Sequence, residues 1–219
     1  SLIETISRTG CVAEIARSML PAYISVAQAD PQLETDGIHP KEQPVMANMV
    51  QARKREYAAG RVAARIALAQ LSITDSPVLT GHDRAPIWPD GTVGSITHSK
   101  THCLAAVGRK CDVRSIGIDI EPNTALTSDL IYEICTADEI AWLDNQPNNK
   151  RPHLARLIFS AKECTYKCQY PLTQQFMPFH ALQINVNQAA NSFQAMFMSK
   201  TGQFQTGDSL HGHFYTDHS

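Results

Sequence analysis

The stretch Ile116–Pro122, Ile-Gly-Ile-Asp-Ile-Glu-Pro, alternates isoleucines with Gly117, Asp119 and Glu121. This period of two predicts a short strand that turns its isoleucines into a core and both carboxylates to the opposite face. Two carboxylates on one face repel each other unless they are solvated or share a cation, and oxygen ligands favour a hard ion such as Mg²⁺. On this stretch alone, a solvated strand and a metal site both remain open.

The composition indicates a globular protein rather than a membrane or nucleic-acid-binding one. The 219 residues are enough for one large domain or two small ones, and 43% of them are hydrophobic and 18% charged. We expect no membrane span and no signal peptide. The net charge is −2, with a slight basic excess in the first half and a slight acidic excess in the second, which is too weak for nucleic-acid binding.

The cysteine spacing predicts neither zinc binding nor disulfides. Without an export signal, we expect six reduced thiols and a cytoplasmic protein. Cys164 and Cys168 have the i, i+4 spacing of small residues in a helix core. The last histidines, His211, His213 and His218, are expected on a surface strand and tail.

The first half is predicted to combine a basic helix with two strands. Apolar and small residues recur near the helical period over residues 47–71. Either solvent or a bound phosphate accounts for the basic residues on the polar face of this helix, which are Arg53, Lys54, Arg55, Arg61 and Arg65. Strands are predicted from Thr92 and over Cys103–Val107. Gly94–Ser99 gathers hydroxyl groups and His98, a composition typical of phosphate-binding loops.

The second half is predicted to contain two helices and three strands. Thr136–Glu139 is a capping box, which predicts a helix to about Asp144. Another helix is predicted over His153–Tyr170, with Arg156, Ser160, Glu163 and Lys167 on one face. A surface ion pair is the alternative interpretation of Glu163 and Lys167. The closing strands are predicted at Ala181–Val186, Phe193–Met198 and His211–Thr216. Each half thus offers a long charged helix followed by strands, which predicts a duplicated α+β protein with a cleft between its halves.

Several motifs taken together resemble the 4′-phosphopantetheinyl transferases of the surfactin-synthetase type. The resemblance is strongest to the bacterial branch that serves siderophore synthetases such as enterobactin synthase. The matching segments are Arg53–Tyr57, Gly60–Arg65, Arg84–Pro89, Gly94–Ser99, Ile116–Glu121 and Phe159–Lys167. The last two are the most specific.

The resemblance implies an enzyme that transfers 4′-phosphopantetheine from coenzyme A to a serine of an apo aryl, peptidyl or acyl carrier protein. The products are the holo carrier and adenosine 3′,5′-bisphosphate, in the biosynthesis of siderophores or other nonribosomal peptides. The implied fold is a monomer of two pseudo-symmetric α/β lobes with the active site in the cleft between them. Residues 1–112 would form the lobe that contacts the coenzyme A nucleotide, and residues 113–219 the lobe with the magnesium site and the catalytic helix.

The resemblance also implies roles for individual residues. Asp119, Glu121 and Glu163 would bind Mg²⁺, Glu163 would act as general base, and Lys167 would bind the α-phosphate. The implied coenzyme A contacts are Arg53, Arg61, Arg84, Ser95, Ile96, Thr97, His98, Asp119, Glu163 and Lys167. Position 85 is Ala where other branches carry a basic residue, so the residue that binds the 3′-phosphate stays open.

Two segments beside the predicted site, Asn123–Cys135 and Tyr170–Phe179, mix apolar residues with few charges. These residues either pack the second lobe or dock the carrier protein: Leu126, Leu130, Ile131, Leu172, Phe176 and Met177. The sequence leaves two alternative functions to compare with this one. Another Mg²⁺-dependent phosphotransferase would be expected to carry a P-loop or kinase signature, and neither is present. A non-catalytic module that binds coenzyme A or a carrier protein would not need all three carboxylates.

Overall fold

The computed structural model describes residues 11–33 and 37–217, so that His218 lies outside the described residues. The chain divides into two compact units, Ser1–Ile120 and Glu121–Ser219. This division falls later than the predicted boundary after residue 112, because Ile116 and Ile118 are buried in a hydrophobic cluster of the first unit. Within the described ranges, no helix is long and apolar enough to cross a membrane.

Among its described residues, the first unit contains two α-helices, a 3₁₀-helix and five strands. In chain order they are α1 (Val12–Met19), β1 (Ser25–Ala29), the 3₁₀-helix Pro40–Met46, α2 (Gln51–Gln70), β2 (Leu79–Thr80), β3 (Pro86–Ile87), β4 (Thr92–His98) and β5 (Cys103–Arg109). Strands β1, β5 and β4 form an antiparallel sheet in that order, and β2 pairs with β3.

Both faces of this three-stranded sheet are covered, because successive residues of a strand point to opposite sides. One face packs against α2, whose Ala63, Ala64 and Ala67 are fully buried and allow close approach of helix and sheet. The other face packs against α1 and against the segment that contains Ile116 and Ile118. The sheet therefore separates α2 from residues Ile116–Ile120, called the carboxylate segment because it contains Asp119.

The second unit places a long helix beside an antiparallel sheet. Its elements are α3 (Ser128–Ile134), α4 (Ala137–Asp144), α5 (Arg151–Thr173), the 3₁₀-helix Phe179–Ala181, β6 (Leu182–Asn187), β7 (Ser192–Phe197) and β8 (Ser209–His213). The strand order is β6-β7-β8. Ile158 of α5, Leu143 of α4 and Phe197 of β7 are completely buried in the core of this unit.

Most predicted elements, and the α+β class, are confirmed. The two long helices are α2 and α5, the three closing strands are β6, β7 and β8, and the capping box of Thr136 and Glu139 begins α4. The strand predicted at Ile116–Glu121 is wrong, because these residues belong to no strand.

All six cysteines are free thiols, as predicted. Cys103 and Cys135 are buried, and burial raises the pKa of Cys103 to about 12 and that of Cys135 to about 11. Since the thiolate is the reactive form, both side chains act as small apolar core residues near neutral pH.

Candidate functional site

The predicted site residues of strand β4 lie on opposite faces of the sheet. Ser95 and Thr97 lie on the face of the sheet that meets the Ile116–Ile120 segment, and both are buried. Ile96 and His98 lie on the opposite face, toward α2, where Ile96 packs close to Gly60. The compact group of donors that the sequence suggested is therefore divided between the two faces of the sheet.

Side-chain hydroxyl groups hold the carboxylate segment beside β4. The backbone N–H of Ile118 donates to Ser95 Oγ at 3.1 Å, and that of Ile120 donates to Thr97 Oγ1 at 3.1 Å. These bonds to side chains hold a segment that belongs to no strand. The predicted alternation is confirmed for Ile116 and Ile118, which are buried beside the partly buried Asp119, whereas Ile120 is only partly buried against the same cluster.

Thr97 also contacts one of the predicted metal ligands. Its hydroxyl donates to Asp119 Oδ1 at 3.2 Å while accepting from the Ile120 N–H. A threonine hydroxyl has one proton and two lone pairs, so it can make both bonds at once. The predicted coenzyme A contacts Ser95 and Thr97 thus use their hydroxyl groups within the chain, where they position Asp119.

On the other face, His98 lies between a cation and an anion of α2. Arg53 Nη1 is 2.8 Å from His98 Nε2 and 3.2 Å from Glu56 Oε2. Arginine has no acceptor, so Nε2 accepts this hydrogen bond, and the neutral ring carries its proton on Nδ1, 3.6 Å from Glu56 Oε2. The Arg53 side chain is half exposed, and this group can meet an anion.

Arg61, on the same helix as Arg53, is buried instead. It is 6% exposed, its Nη2 donates to Thr80 Oγ1 at 2.7 Å, and its Cζ lies 4.5 Å from the centroid of the Tyr57 ring. Burial lowers the pKa of Arg61, and Tyr57 opposes that shift. Nε of Arg61 has no hydrogen-bond partner among the described residues. Most of this guanidinium therefore serves contacts within the first unit.

Arg84 lies in the turn between β2 and β3. It has a φ of +67°, and its backbone N–H donates to the Gly81 oxygen at 3.0 Å, inside a loop closed by the bond from Gly81 to Ala85. Its side chain is exposed. A positive φ is unusual for arginine, and the turn fixes the backbone position from which the Arg84 side chain extends.

In the second unit, Glu121 is bound by an arginine of α5. Arg156 Nη1 donates to Glu121 Oε2 at 3.2 Å, and the same guanidinium donates to the backbone oxygen of Thr124 at 3.1 Å and to its hydroxyl at 3.2 Å. The sequence around Glu121 contains no neutralising charge, but a residue distant in the chain supplies one.

Helix α5 carries Arg156, Glu163 and Lys167 at spacings of seven and four residues, which places them on one face. Glu163 and Lys167 are both partly buried. Because Arg156 and Glu163 are two helical turns apart, α5 fixes the distance along its axis at about 10 Å.

Lys162 points away from this face into the core. Its Nζ lies 2.8 Å from Glu139 Oε2 and donates to the backbone oxygens of Ile134 at 2.8 Å and Phe179 at 3.0 Å. Burial lowers the pKa of Lys162, and the Glu139 carboxylate opposes the shift. This cation fixes α5 to the α3–α4 connection and is not available to a substrate.

The donor set of the predicted metal site fits Mg²⁺ in its chemistry. Asp119, Glu121 and Glu163 offer only carboxylate oxygens, and all three are partly buried. Asp119 belongs to the first unit, while Glu121 and Glu163 belong to the second. Within residues 11–33 and 37–217, no group of three His, Cys, Asp or Glu side chains is arranged to hold a metal ion.

Of the six residues suggested for carrier docking, Leu172 is partly buried and the other five divide into two groups. Leu126, Ile131 and Met177 are buried in the core of the second unit, so of the two alternatives they follow the packing one. Leu130 is 42% exposed and Phe176 is 79% exposed. Leu130 and Phe176 therefore remain candidates for docking.

The sequence does not indicate the contacts that Glu56, Glu139 and Arg156 make in the structure. The sequence indicates Glu139 only as part of a capping box. Arg156 carried a usable signal, because it lies on the same helical face as Glu163 and Lys167. Its partner Glu121 is 35 residues away, and a single sequence gives no indication of that pairing.

Comparison with known proteins gives matches along most of the chain. Residues 41–108 match the 4′-phosphopantetheinyl transferase N-terminal domain, and residues 115–216 match the 4′-phosphopantetheinyl transferase superfamily. The chain is 38% identical to 4′-phosphopantetheinyl transferase Npt of Nocardia iowensis, over 76% of this chain and 74% of that protein. It is 35% identical to 4′-phosphopantetheinyl transferase PptT of Mycobacterium tuberculosis, over 86% and 85%. A shorter match, 39% identical over 52% and 47%, is to enterobactin synthase component D of Salmonella typhimurium.

Proposed function

This chain belongs to the 4′-phosphopantetheinyl transferase superfamily and is an enzyme that transfers the 4′-phosphopantetheine group to carrier proteins, and from this premise we propose which of its residues do so. Members of the family use coenzyme A as the donor. The proposed products are the holo carrier protein and adenosine 3′,5′-bisphosphate. The proposed metal ligands are Asp119, Glu121 and Glu163.

Glu163 is the proposed general base. It takes the proton from the carrier serine hydroxyl as that oxygen attacks the β-phosphorus of coenzyme A. The bond between this phosphorus and the oxygen that bridges to the α-phosphate breaks, and adenosine 3′,5′-bisphosphate leaves. Lys167, one helical turn beyond Glu163, stabilises the negative charge that develops on the leaving α-phosphate. When bound, Mg²⁺ neutralises charge on the pyrophosphate.

The proposed coenzyme A contacts differ in how directly they act. Arg53 and His98 bind the 3′-phosphate, because both are partly exposed and already form a polar cluster. Arg84 assists from its exposed turn. Arg61 is buried and acts indirectly, by its contacts with Tyr57 and Thr80 in the same unit as Arg53 and His98. Among the remaining proposed contacts, Ser95 and Thr97 act by holding the Asp119 segment, and Ile96 by packing against α2.

The relatives and the cysteines support the proposed biological setting. The enterobactin synthase relatives support a place in the surfactin-synthetase type and in siderophore or other nonribosomal peptide synthesis. Its carrier partner would then be an aryl, peptidyl or acyl carrier domain. Six free thiols are compatible with a reducing compartment, so the proposed location is the cytoplasm. The proposed form is a monomer.

The proposal depends most on Asp119, which stands in the most specific motif and is held in place by Thr97. Its test is a titration of transfer activity with Mg²⁺ for the wild type and for Asp119→Ala. Loss of a ligand should shift the titration to higher Mg²⁺ and lower the maximal rate. An unchanged titration would contradict the assignment of Asp119 to the metal.

A further inference from the structure

We infer that Arg156 is a positioning residue that holds Glu121 ready to bind the metal. The inference rests on the proposed metal site, and it concerns a residue to which the family motifs assign no role. All of the contacts that support it lie within the second unit, between α5 and the segment from Glu121 to Leu126.

The Arg156 guanidinium makes three directed contacts. It binds Glu121 through Nη1 and Thr124 through Nε and Nη2, with distances of 3.1 to 3.2 Å. Only 20% of the Arg156 side chain and 24% of the Glu121 side chain are exposed. A guanidinium is planar and rigid, so the two contacts to Thr124 fix its orientation, and the third contact then directs one N–H at the Glu121 carboxylate.

Neighbouring contacts fix the same segment to the start of α5. The Leu126 N–H donates to the Pro152 oxygen at 3.2 Å, and His153 Nδ1 lies 3.1 Å from Asn123 Oδ1. Arg156 therefore acts on a segment that is already anchored to the helix. Its particular contribution is the contact to the Glu121 carboxylate, two turns before Glu163 on the same helix.

This arrangement is compatible with metal binding by Glu121. The hydrogen bond from Arg156 uses one oxygen, Oε2, and a carboxylate has two oxygens with several acceptor sites. Metal-binding carboxylates are typically oriented by such outer hydrogen bonds, and losing one lowers metal affinity or activity about 10- to 100-fold. Arg156 also offsets the charge of a carboxylate that would otherwise repel the other ligands.

The test is a titration of the wild type, Arg156→Lys and Arg156→Gln with Mn²⁺, in the presence of coenzyme A and without carrier protein. Electron paramagnetic resonance measures the bound Mn²⁺. Lysine keeps the charge but cannot make the three-way contact. We expect both variants to bind Mn²⁺ about tenfold more weakly. The matched control is Arg151→Lys, since Arg151 lies on the same helix, is 22% exposed and pairs with Asp144 at 2.9 Å. It should bind Mn²⁺ like the wild type.

Glu121→Gln separates this inference from the proposed metal site. If Glu121→Gln weakens Mn²⁺ binding and both Arg156 variants bind normally, the role of Arg156 is overturned and the metal site stands. If Glu121→Gln binds like the wild type, or the wild type binds no Mn²⁺, the metal assignment of Glu121 fails and the role of Arg156 fails with it. Tighter binding by Arg156→Gln would also overturn the inference, because the arginine would then oppose the cation.

Discussion

Thr97 donates a hydrogen bond to Asp119, with 3.2 Å between Oγ1 and Oδ1, and its hydroxyl accepts one from the backbone N–H of Ile120. Thr97→Val keeps the shape of the side chain but removes both bonds. We expect the catalytic efficiency kcat/KM to fall about 10- to 100-fold, as for other residues that orient a metal ligand. Thr97→Ser retains the hydroxyl and should restore most of the activity.

Thr92→Val is the matched control for this prediction. Thr92 lies on the same strand, is equally buried, and uses its hydroxyl for a 2.6 Å bond to the Pro89 oxygen. The Thr92→Val variant should have a free energy of unfolding about 1–3 kcal/mol lower than the wild type, with little change in kcat/KM. Equal kinetic losses in Thr92→Val and Thr97→Val would mean that Thr97 only supports the strand.

The buried ion pair of Lys162 and Glu139 is predicted to matter for stability. Lys162→Met leaves the Glu139 carboxylate without its cation, and should lower the free energy of unfolding by about 3–5 kcal/mol. Urea denaturation measures this loss. The double variant Lys162→Met with Glu139→Gln should recover part of it, because no unpaired buried charge remains.

Arg151→Met provides the comparison, because its pair with Asp144 is far more exposed and should contribute about 1 kcal/mol or less. If the double variant Lys162→Met with Glu139→Gln loses more stability than the sum of the losses of its two single variants, the account of a mutually compensating pair is contradicted.

The two arginines of α2 should differ in their effect on substrate choice. If Arg53 binds the 3′-phosphate, Arg53→Ala should raise the KM for coenzyme A much more than the KM for dephospho-coenzyme A, which lacks that phosphate. Arg61→Met should lower the melting temperature and affect both substrates alike, because Arg61 is buried. A selective loss for coenzyme A in Arg61→Met, with none in Arg53→Ala, would reverse the two assignments.

The sequence predicted α2, α5 and the capping box well because these depend on local signals of period and end chemistry. It failed at Ile116–Glu121, where an alternating pattern looks the same whether the amides bind another backbone or the hydroxyls of Ser95 and Thr97. It also could not separate Arg53 from Arg61. Both belong to one basic helix, and their different burial depends on Thr80, which comes from another part of the chain.

The same limit affected the docking segments. Apolar residues that alternate in burial, such as Leu130 and Ile131, have identical chemistry in sequence, and only the packing of α3 decides which of them is exposed. A single sequence gives the candidates for a surface, and tertiary contacts select among them.

A carrier-docking role is predicted for Leu130 and Phe176. Leu130→Asp or Phe176→Asp should raise the KM for the carrier protein and leave the affinity for coenzyme A unchanged, because an apolar contact would be replaced by a charge. Tyr215→Asp is the control, since Tyr215 is 58% exposed in the same unit. Normal carrier kinetics in both variants would place the docking surface elsewhere.

The most direct test of the central claim is the intact mass of an apo carrier domain after incubation with coenzyme A, Mg²⁺ and this protein. The wild type should increase the carrier mass by one phosphopantetheine group. Glu163→Gln, which removes the proposed base and a metal ligand while keeping the size of the side chain, should leave the carrier almost unmodified in the same time. An unmodified carrier with the wild type would contradict the claimed activity, and a Glu163→Gln variant as fast as the wild type would contradict the proposed chemistry.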